Sequence, residues 1–171
     1  AGPTWKGTLR TLNLAGKPPL RLQAPVTLEA APARVALGPA DLRSDAAQIQ
    51  IKELVWTPRT LVTRGQIRGI PVGFGADAKQ KAMLVSEDLK LGGEWQIRLG
   101  EHADGTVRLS RESGDLVLGG EQPVAAGLSV LEARITALND RLGWSLEAAG
   151  SRLGQISGAG TALAERSSGS W

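Results

Sequence analysis

The sequence predicts a mainly β protein built on one antiparallel sheet with an apolar face and a polar face. Three observations support this prediction. Apolar and polar residues alternate along several runs, which is typical of strands buried on one side. Turn-forming residues separate these runs at short intervals. Glycine accounts for 22 of the 171 residues, whereas the aromatic residues are only five tryptophans and one phenylalanine. This composition favours turns and closely packed strands over a thick helical core.

The alternating runs give the individual strands. Their apolar positions are Ala47, Ile49 and Ile51; Trp95, Ile97 and Leu99; Val107 and Leu109; Leu131, Ala133, Ile135 and Ala137; and Leu142, Trp144, Leu146 and Ala148. The run lengths predict about ten strands of roughly five to nine residues. Asp104–Gly105 and Asn139–Asp140 are predicted hairpin turns, because these residue types tolerate positive φ. Pro25 and Pro32 interrupt the early strands.

One segment departs from the period of two. Residues 76–89 carry apolar side chains at helical spacing, which predicts a short amphipathic helix with Asp77 near its N-terminus; these side chains are Ala78, Ala82, Val85 and Leu89. The helix divides the chain into a strand-rich lobe at 4–70, a helical connector at 71–91, a second strand-rich lobe at 92–163 and a flexible tail at 164–171.

Composition excludes several classes of function. The chain has no cysteine and one histidine, which excludes disulfides, thiolate chemistry and multi-histidine metal sites. Its 20 basic and 17 acidic residues are spread along the sequence, without the basic stripe of a nucleic-acid-binding protein. No run approaches the ~18 apolar residues of a membrane span. We expect no metal, no cofactor and no nucleic-acid partner.

Two weak signals of chemistry have simpler explanations. Residues 73–78 match G-x-G-x-x-A, but a dinucleotide site also needs a βαβ unit, and this chain offers mostly hairpins. His102 has no G-x-S-x-G partner motif and is predicted to be a solvent-facing turn residue. Acidic residues mostly stand beside arginine, as Glu132 does near Arg134, which is ordinary on a solvated strand face. The sequence therefore predicts no enzyme.

The apolar stripes leave two structures open. A period of two is usually explained by a closed sandwich or barrel core, and the pattern alone favours that interpretation. The alternative is a curled sheet whose apolar lining stays partly open and holds lipid.

Several segments resemble the TamB family (translocation and assembly module subunit TamB), one of the AsmA-like bridge proteins. The most specific is RESGDLVL at 111–118, which follows a Trp-bearing strand at 93–99 and a second strand at 104–109. Segments with the same pattern are residues 5–7, 54–58, 64–71, 127–129 and 152–158. The resemblance spans residues 5–163 and concerns the order and pattern of residues rather than an active site.

The resemblance implies a function and a location. It implies a β-taco-like fold, an antiparallel sheet curled into an open trough with a hydrophobic interior. It also implies a segment, internal or C-proximal, of a periplasmic protein of a Gram-negative bacterium, anchored in the inner membrane. Such proteins are linked to phospholipid transport between the two membranes and to assembly of outer-membrane proteins, including autotransporters. The implied partners are phospholipid acyl chains, a TamA-like outer-membrane barrel and nascent outer-membrane proteins.

The alternating strands and the resemblance together predict the residues that line the groove. They are Ile49, Ile51, Trp95, Ile97, Leu99, Val107, Leu109, Leu116, Leu118, Ile135, Trp144 and Leu146. Two other hypotheses stay open. The sheet edges could receive nascent β-strands by pairing, in which case the isolated chain also forms edge-paired oligomers. Otherwise the chain is a structural β domain without a ligand.

Overall fold

The computed structural model describes residues 3–15, 19–71, 88–118 and 124–163. Of these residues 74% are in strands and none is in a helix. They form one antiparallel sheet that is not closed into a barrel, together with one small hairpin. The mainly β, antiparallel class predicted from the alternation is therefore confirmed.

Fifteen strands make up this part of the chain. Their bounds are β1 Trp5–Leu9, β2 Asn13–Leu14, β3 Leu20–Leu22, β4 Val26–Ala31, β5 Arg34–Leu37, β6 Ala40–Arg43, β7 Gln48–Thr57, β8 Thr60–Pro71, β9 Lys90–Leu99, β10 Ala103–Ser113, β11 Val117–Leu118, β12 Val124–Ala125, β13 Leu128–Leu138, β14 Arg141–Gly150 and β15 Gly154–Leu163.

The main sheet is an up-and-down meander. Its order is β1-β4-β5-β7-β8-β9-β10-β13-β14-β15, which is ten strand positions across. Near the start of the chain, one side of β7 pairs with two short strands in succession. These are β6, along residues 48–51, and β5, along residues 54–56. The short strands β2, β3 and β6 continue the lines of β1, β4 and β5 beyond these interruptions. Among the strands that the structure describes, β11 and β12 pair only with each other.

The turn predictions had mixed outcomes. Asn139 and Asp140 form the β13–β14 turn with φ values of 50° and 64°, as a two-residue hairpin requires. The hairpin predicted at Asp104–Gly105 is wrong, because both residues lie inside β10 and the chain turns at residues 100–102. The Asp104 carboxylate instead accepts a hydrogen bond from the Asn139 backbone N–H at 3.0 Å. It therefore supports the neighbouring turn.

The predicted helix is not confirmed. Residues 76–87 of that segment lie outside the described residues, and Asp88 and Leu89, which are described, are not helical. The predicted tail at 164–171 also lies outside them. The two predicted lobes share one sheet, since β8 of the first pairs with β9 of the second along most of their length.

The buried apolar residues gather at one end of the sheet. The hairpin turns β7–β8, β9–β10 and β13–β14 lie at the opposite end, which we call the tip end. Leu89, only 1% exposed, precedes β9, and Leu128 begins β13. The buried apolar set among the described residues is Val26, Ala40, Leu42, Ala47, Leu89, Ala126, Leu128 and Ala148. The sheet is therefore well packed at one end and open at the tip end.

Candidate functional site: an apolar face across the sheet

The strand register aligns apolar side chains into four rows that run across the strands on one face. Residues that are directly paired in neighbouring strands point to the same side of a sheet. Counted from the tip end, the first row is Trp5, Ala30, Val35, Trp56, Leu61, Leu99 and Ala103. The second is Gly7, Leu28, Leu37, Leu54, Thr63, Ile97, Gly105, Ala137, Leu142 and Ala162.

The other two rows lie nearer the packed end. The third row is Ala40, Ile51, Gly65, Trp95, Val107, Ile135, Trp144 and Gly160. The fourth is Leu22, Leu42, Ile49, Ile67, Gly93, Leu109, Ala133, Leu146 and Gly158. We call the surface made by the four rows the apolar face.

The apolar face carries no charged side chain in any of its four rows. Its one polar residue is Thr63, whose hydroxyl accepts a hydrogen bond from Trp95 Nε1 at 3.1 Å. Arg111 pairs with Leu91 beyond the fourth row, and its Nε donates to the Gly114 carbonyl at 2.8 Å. A continuous uncharged path therefore crosses the sheet from its first strand to its last.

Ten of the twelve predicted lining residues lie in these rows. Ile51, Trp95, Val107, Ile135 and Trp144 are in the third row, and the others are Ile97 in the second, Leu99 in the first, and Ile49, Leu109 and Leu146 in the fourth. The remaining two lie outside the main sheet. Leu116 precedes the small hairpin, where its carbonyl accepts the Ala126 N–H at 2.8 Å. Leu118 is in β11 of that hairpin.

A bulge in β7 keeps apolar side chains on the same face along the whole strand. Between Ile51 and Glu53 the β7–β8 register shifts by one residue. This shift brings the even-numbered Leu54 and Trp56 to the same side as the odd-numbered Ile51. Strict alternation missed Leu54 and Trp56, although the adjacent polar residues Lys52 and Glu53 are the local signal of a bulge.

Tryptophans cover glycines on this face. Trp95 is paired with Gly65, and Trp144 with Gly160. A Cβ atom built on Gly65 would collide with the Trp95 ring, and one built on Gly160 would lie 2.7 Å from Trp144 Nε1. The Trp144 ring also reaches over Gly158, where a built Cβ would lie 3.3 Å from Cζ3. The indoles therefore lie along the sheet rather than projecting from it, and much of the glycine excess lies in strands, not in turns.

Large apolar side chains of the face stay open to solvent in both the first and the third row. Trp5 is 56% exposed, Ile135 50%, Trp144 49% and Leu99 45%. Contiguous exposed apolar surface on a protein of this size marks a binding surface or an aggregation hazard. The open part of the apolar face is thus the candidate site.

The opposite face is charged and internally paired. Glu132 accepts hydrogen bonds from Arg108 at 3.0 and 2.7 Å, and Glu29 contacts Lys6 at 2.7 Å. The hydrogen bond from Arg108 lowers the pKa of Glu132, and the hydrogen bond from Lys6 lowers the pKa of Glu29. Such exposed pairs add little stability. They keep charge on one side of the sheet.

The hollow around Gly92 on the polar face is lined in part by side chains that have structural partners. The hollow around Gly92 has a volume of about 240 Å³ and is lined by Gln66, Ile67, Arg68, Gly92, Gly93, Glu94, Arg108, Ser110 and Glu112. Glu112 crosses Gly92 there to accept the Gly69 backbone N–H at 2.8 Å, so this carboxylate has a structural partner. In the described part of the chain, no three His, Cys, Asp or Glu residues gather as a metal site.

The one histidine belongs to a turn. His102 is exposed, and its Nδ1 lies 2.8 Å from Asp140 Oδ2. Asp140 Oδ1 also accepts the Ala103 N–H at 2.9 Å, so these contacts join two neighbouring hairpins. The G-x-G-x-x-A segment at 73–78 lies outside the described residues.

Asp115 fastens the small hairpin to the packed end. Its carboxylate accepts the backbone N–H groups of Leu128 at 2.7 Å, Leu116 at 2.8 Å and Gly127 at 2.9 Å. These hydrogen bonds, led by that from Leu128, lower the pKa of Asp115. The carboxylate thereby fixes the start of β13, which contributes to the apolar face.

Comparison of the chain with protein-family models, with curated proteins and with solved structures finds no match. The described residues contain no helix, and therefore none that could span a membrane.

Proposed function

We propose that the chain is a segment, internal or C-proximal, of a periplasmic TamB-like protein, and that its apolar face carries phospholipid acyl chains between the inner and outer membranes. The full-length protein is anchored in the inner membrane of a Gram-negative bacterium and meets a TamA-like barrel at the outer membrane. Its clients include nascent outer-membrane proteins such as autotransporters. The segment is not an enzyme and uses no cofactor.

The observation that carries the proposal is the uncharged path across the sheet. Ten strand positions about 4.8 Å apart give a path of about 43 Å. Two acyl tails of about 14 methylenes each cost on the order of 20 kcal/mol to move through water, at about 0.8 kcal/mol per methylene. A continuous apolar surface removes most of that cost without chemistry, and the absence of charge in the four rows avoids a polar barrier along it.

The proposal includes a curled sheet. An open, twisted sheet of ten strands tends to curl. In the proposed trough the apolar face lies inside and the paired charges of the polar face lie outside, in contact with water. The packed end closes one end of the trough, and the tip end leaves the other end open.

Paired photo-crosslinking in the full-length protein in cells tests the proposal. One photoreactive residue replaces Ile97 in the second row, and the other replaces Gln96, its neighbour on the polar face. We expect phospholipid adducts at position 97 and none at position 96. Lipid adducts at both positions, or at neither, contradict a one-sided lipid path.

A charge inside the path provides a second test. Ile97→Asp is expected to stop lipid transport, while Gln96→Asp leaves it unchanged, because only the first places a carboxylate in the apolar rows. The open face allows that carboxylate to hydrate, so both variants are expected to fold. Circular dichroism of the two variants is the control. Normal transport by folded Ile97→Asp would refute the path.

A second candidate function is favoured by the outer edge of β15. This strand has ten residues, GQISGAGTAL, with no charge and no proline, and it pairs with β14 in an unbroken register. Sheet edges usually carry charge, proline or bulges that prevent pairing with other strands. Among the described residues no strand pairs with this edge, and such an edge fits a scaffold that receives nascent outer-membrane β-strands by strand addition.

Proline substitutions separate the two functions. In an antiparallel strand adjacent residues direct their N–H groups to opposite sides, so one of Ala159→Pro and Gly160→Pro removes an outward donor. The scaffold function predicts loss of outer-membrane protein assembly in that variant with lipid adducts at position 97 retained. Retention of both assembly and the adducts in that variant supports the lipid path alone.

A further inference from the structure

The third row has a symmetric order of residues on six adjacent strands. From β8 to β15 it reads Gly65, Trp95, Val107, Ile135, Trp144 and Gly160. Each indole lies over the glycine on its outer side. Both rings are therefore turned away from the middle of the row, and they leave Val107 and Ile135 uncovered between them.

The uncovered stretch is a small apolar floor. The two tryptophan-bearing strands are three strand spacings apart, about 14 Å. Ile135, at its centre, is 50% exposed. Leu109 and Ala133 continue the floor in the fourth row, so the floor is apolar along the strands as well as across them.

The two indoles differ in their N–H groups. Trp95 Nε1 donates to the Thr63 hydroxyl at 3.1 Å. Trp144 Nε1 lies over Gly160, which has no side chain, and donates to no described residue. Trp144 is 49% exposed. An indole N–H is a donor only, so a ligand that extends from this floor past Trp144 meets the one indole donor of the described row that is available.

We propose that this floor binds one ester-linked amphiphile, with its acyl chain over Val107 and Ile135 and its ester carbonyl accepting a hydrogen bond from Trp144 Nε1. The inference rests on the proposed lipid-carrying function and names the group that the site recognises. A neutral carbonyl fits better than a phosphate or a carboxylate, because the four rows hold no charged side chain to pair with an anion. The phosphate of the ligand then lies outside the rows.

Ester and ether lipids of equal length test the inference. The full chain is mixed with an acyl probe carrying a pyrene, and the probe is displaced by short-chain diester or diether phosphatidylcholine below its micelle concentration. One neutral hydrogen bond is worth about 2- to 12-fold in affinity, so we expect the wild type to prefer the diester by that factor. Trp144→Phe keeps an aromatic ring and loses the N–H, and we expect it to lose this preference.

Trp95→Phe is the matched control. It removes the other indole N–H from the same row, but that group is already bonded to Thr63, so the diester preference is expected to persist. Equal binding of the two lipids by the wild type overturns the inference, and so does a preference that survives in Trp144→Phe. If a free fatty acid displaces the probe more effectively than the diester does, the Trp144 N–H binds a carboxylate instead. That result also overturns the inference. Failure of the wild type to bind any lipid refutes the proposed function itself.

Discussion

Replacing Gly160 by alanine tests whether the Trp144 ring lies along the sheet. A Cβ at position 160 would lie 2.7 Å from Trp144 Nε1, 2.9 Å from Cε2 and 3.1 Å from Cζ2. The clash involves only the indole, since these three nearest atoms all belong to that ring. Gly160 also has no positive φ, unlike Gly154 of the same strand, so alanine suits its backbone. The substitution therefore perturbs one contact.

The expected effect of Gly160→Ala on the free energy of unfolding changes sign when Trp144 is removed. Forcing an extra methyl group against a packed side chain costs about 1–3 kcal/mol. Replacing glycine by alanine inside a strand returns about 0.5–1 kcal/mol. With Trp144 present, Gly160→Ala is expected to lower the free energy of unfolding by about 0.5–2 kcal/mol. In a Trp144→Ala background the clash is gone, and the same substitution is expected to raise that free energy by about 0.5–1 kcal/mol.

Urea unfolding of the four proteins in this double-mutant cycle, followed by far-UV circular dichroism, gives the coupling energy directly. Gly65 and Trp95 provide the matched control pair. A Cβ on Gly65 would meet the backbone carbonyl of Gln50 as well as the Trp95 ring. Gly65→Ala is therefore expected to stay destabilising after Trp95→Ala. Equal effects of Gly160→Ala in both Trp144 backgrounds would refute the arrangement of rings over glycines.

Three other predictions concern the packing, the pH dependence and the sheet edges. Leu89→Ala, at a site 1% exposed, is expected to lower the free energy of unfolding by about 2–5 kcal/mol. Leu138→Ala, at a site 67% exposed, is expected to change it by no more than about 0.5 kcal/mol. Equal urea midpoints for the two variants would contradict the location of the core. The lowered pKa of Asp115 stabilises the fold above the ordinary carboxyl value of 3.8, and this contribution is lost as the pH falls through the folded-state pKa. Asp115→Asn is therefore expected to be less stable than the wild type at neutral pH and to lose less stability on acidification, and parallel acid-unfolding curves would count against it. Both outer edges of the sheet are unpaired within the described residues, so the isolated chain is expected to form dimers or larger species in light scattering, and a strict monomer across a concentration series would contradict this expectation.

Much of the fold was predictable because strand alternation is a local property. Trp95, Ile97 and Leu99 share a face because successive residues of a strand point to opposite sides. The same reasoning placed Ile135 and Trp144 on their strands correctly, and the Asn139–Asp140 turn followed from residue types that accept positive φ. Where an interaction with a distant residue competes, local signals fail. Asp104–Gly105 has the composition of a turn, but its carboxylate is used by Asn139 of another hairpin.

The glycines show the same limit in the candidate site. Composition indicated turns, yet Gly65 and Gly160 lie within strands beneath tryptophan rings. The pairs that explain them join Gly65 to Trp95 and Trp144 to Gly160 across strand boundaries. Nothing in the local sequence around either glycine identifies its partner.

The sequence by itself determined that the chain forms antiparallel strands with one apolar and one polar side, because side-chain direction along a strand depends only on backbone geometry. Only the tertiary structure decided that the apolar sides coincide in four uncharged rows, of which the second crosses all ten strand positions. That coincidence depends on register, and register is set by bulges, such as the one between Ile51 and Glu53, and by hairpins. A one-residue slip in any pairing would turn a whole strand over, so the continuous apolar face exists only when every strand is in place.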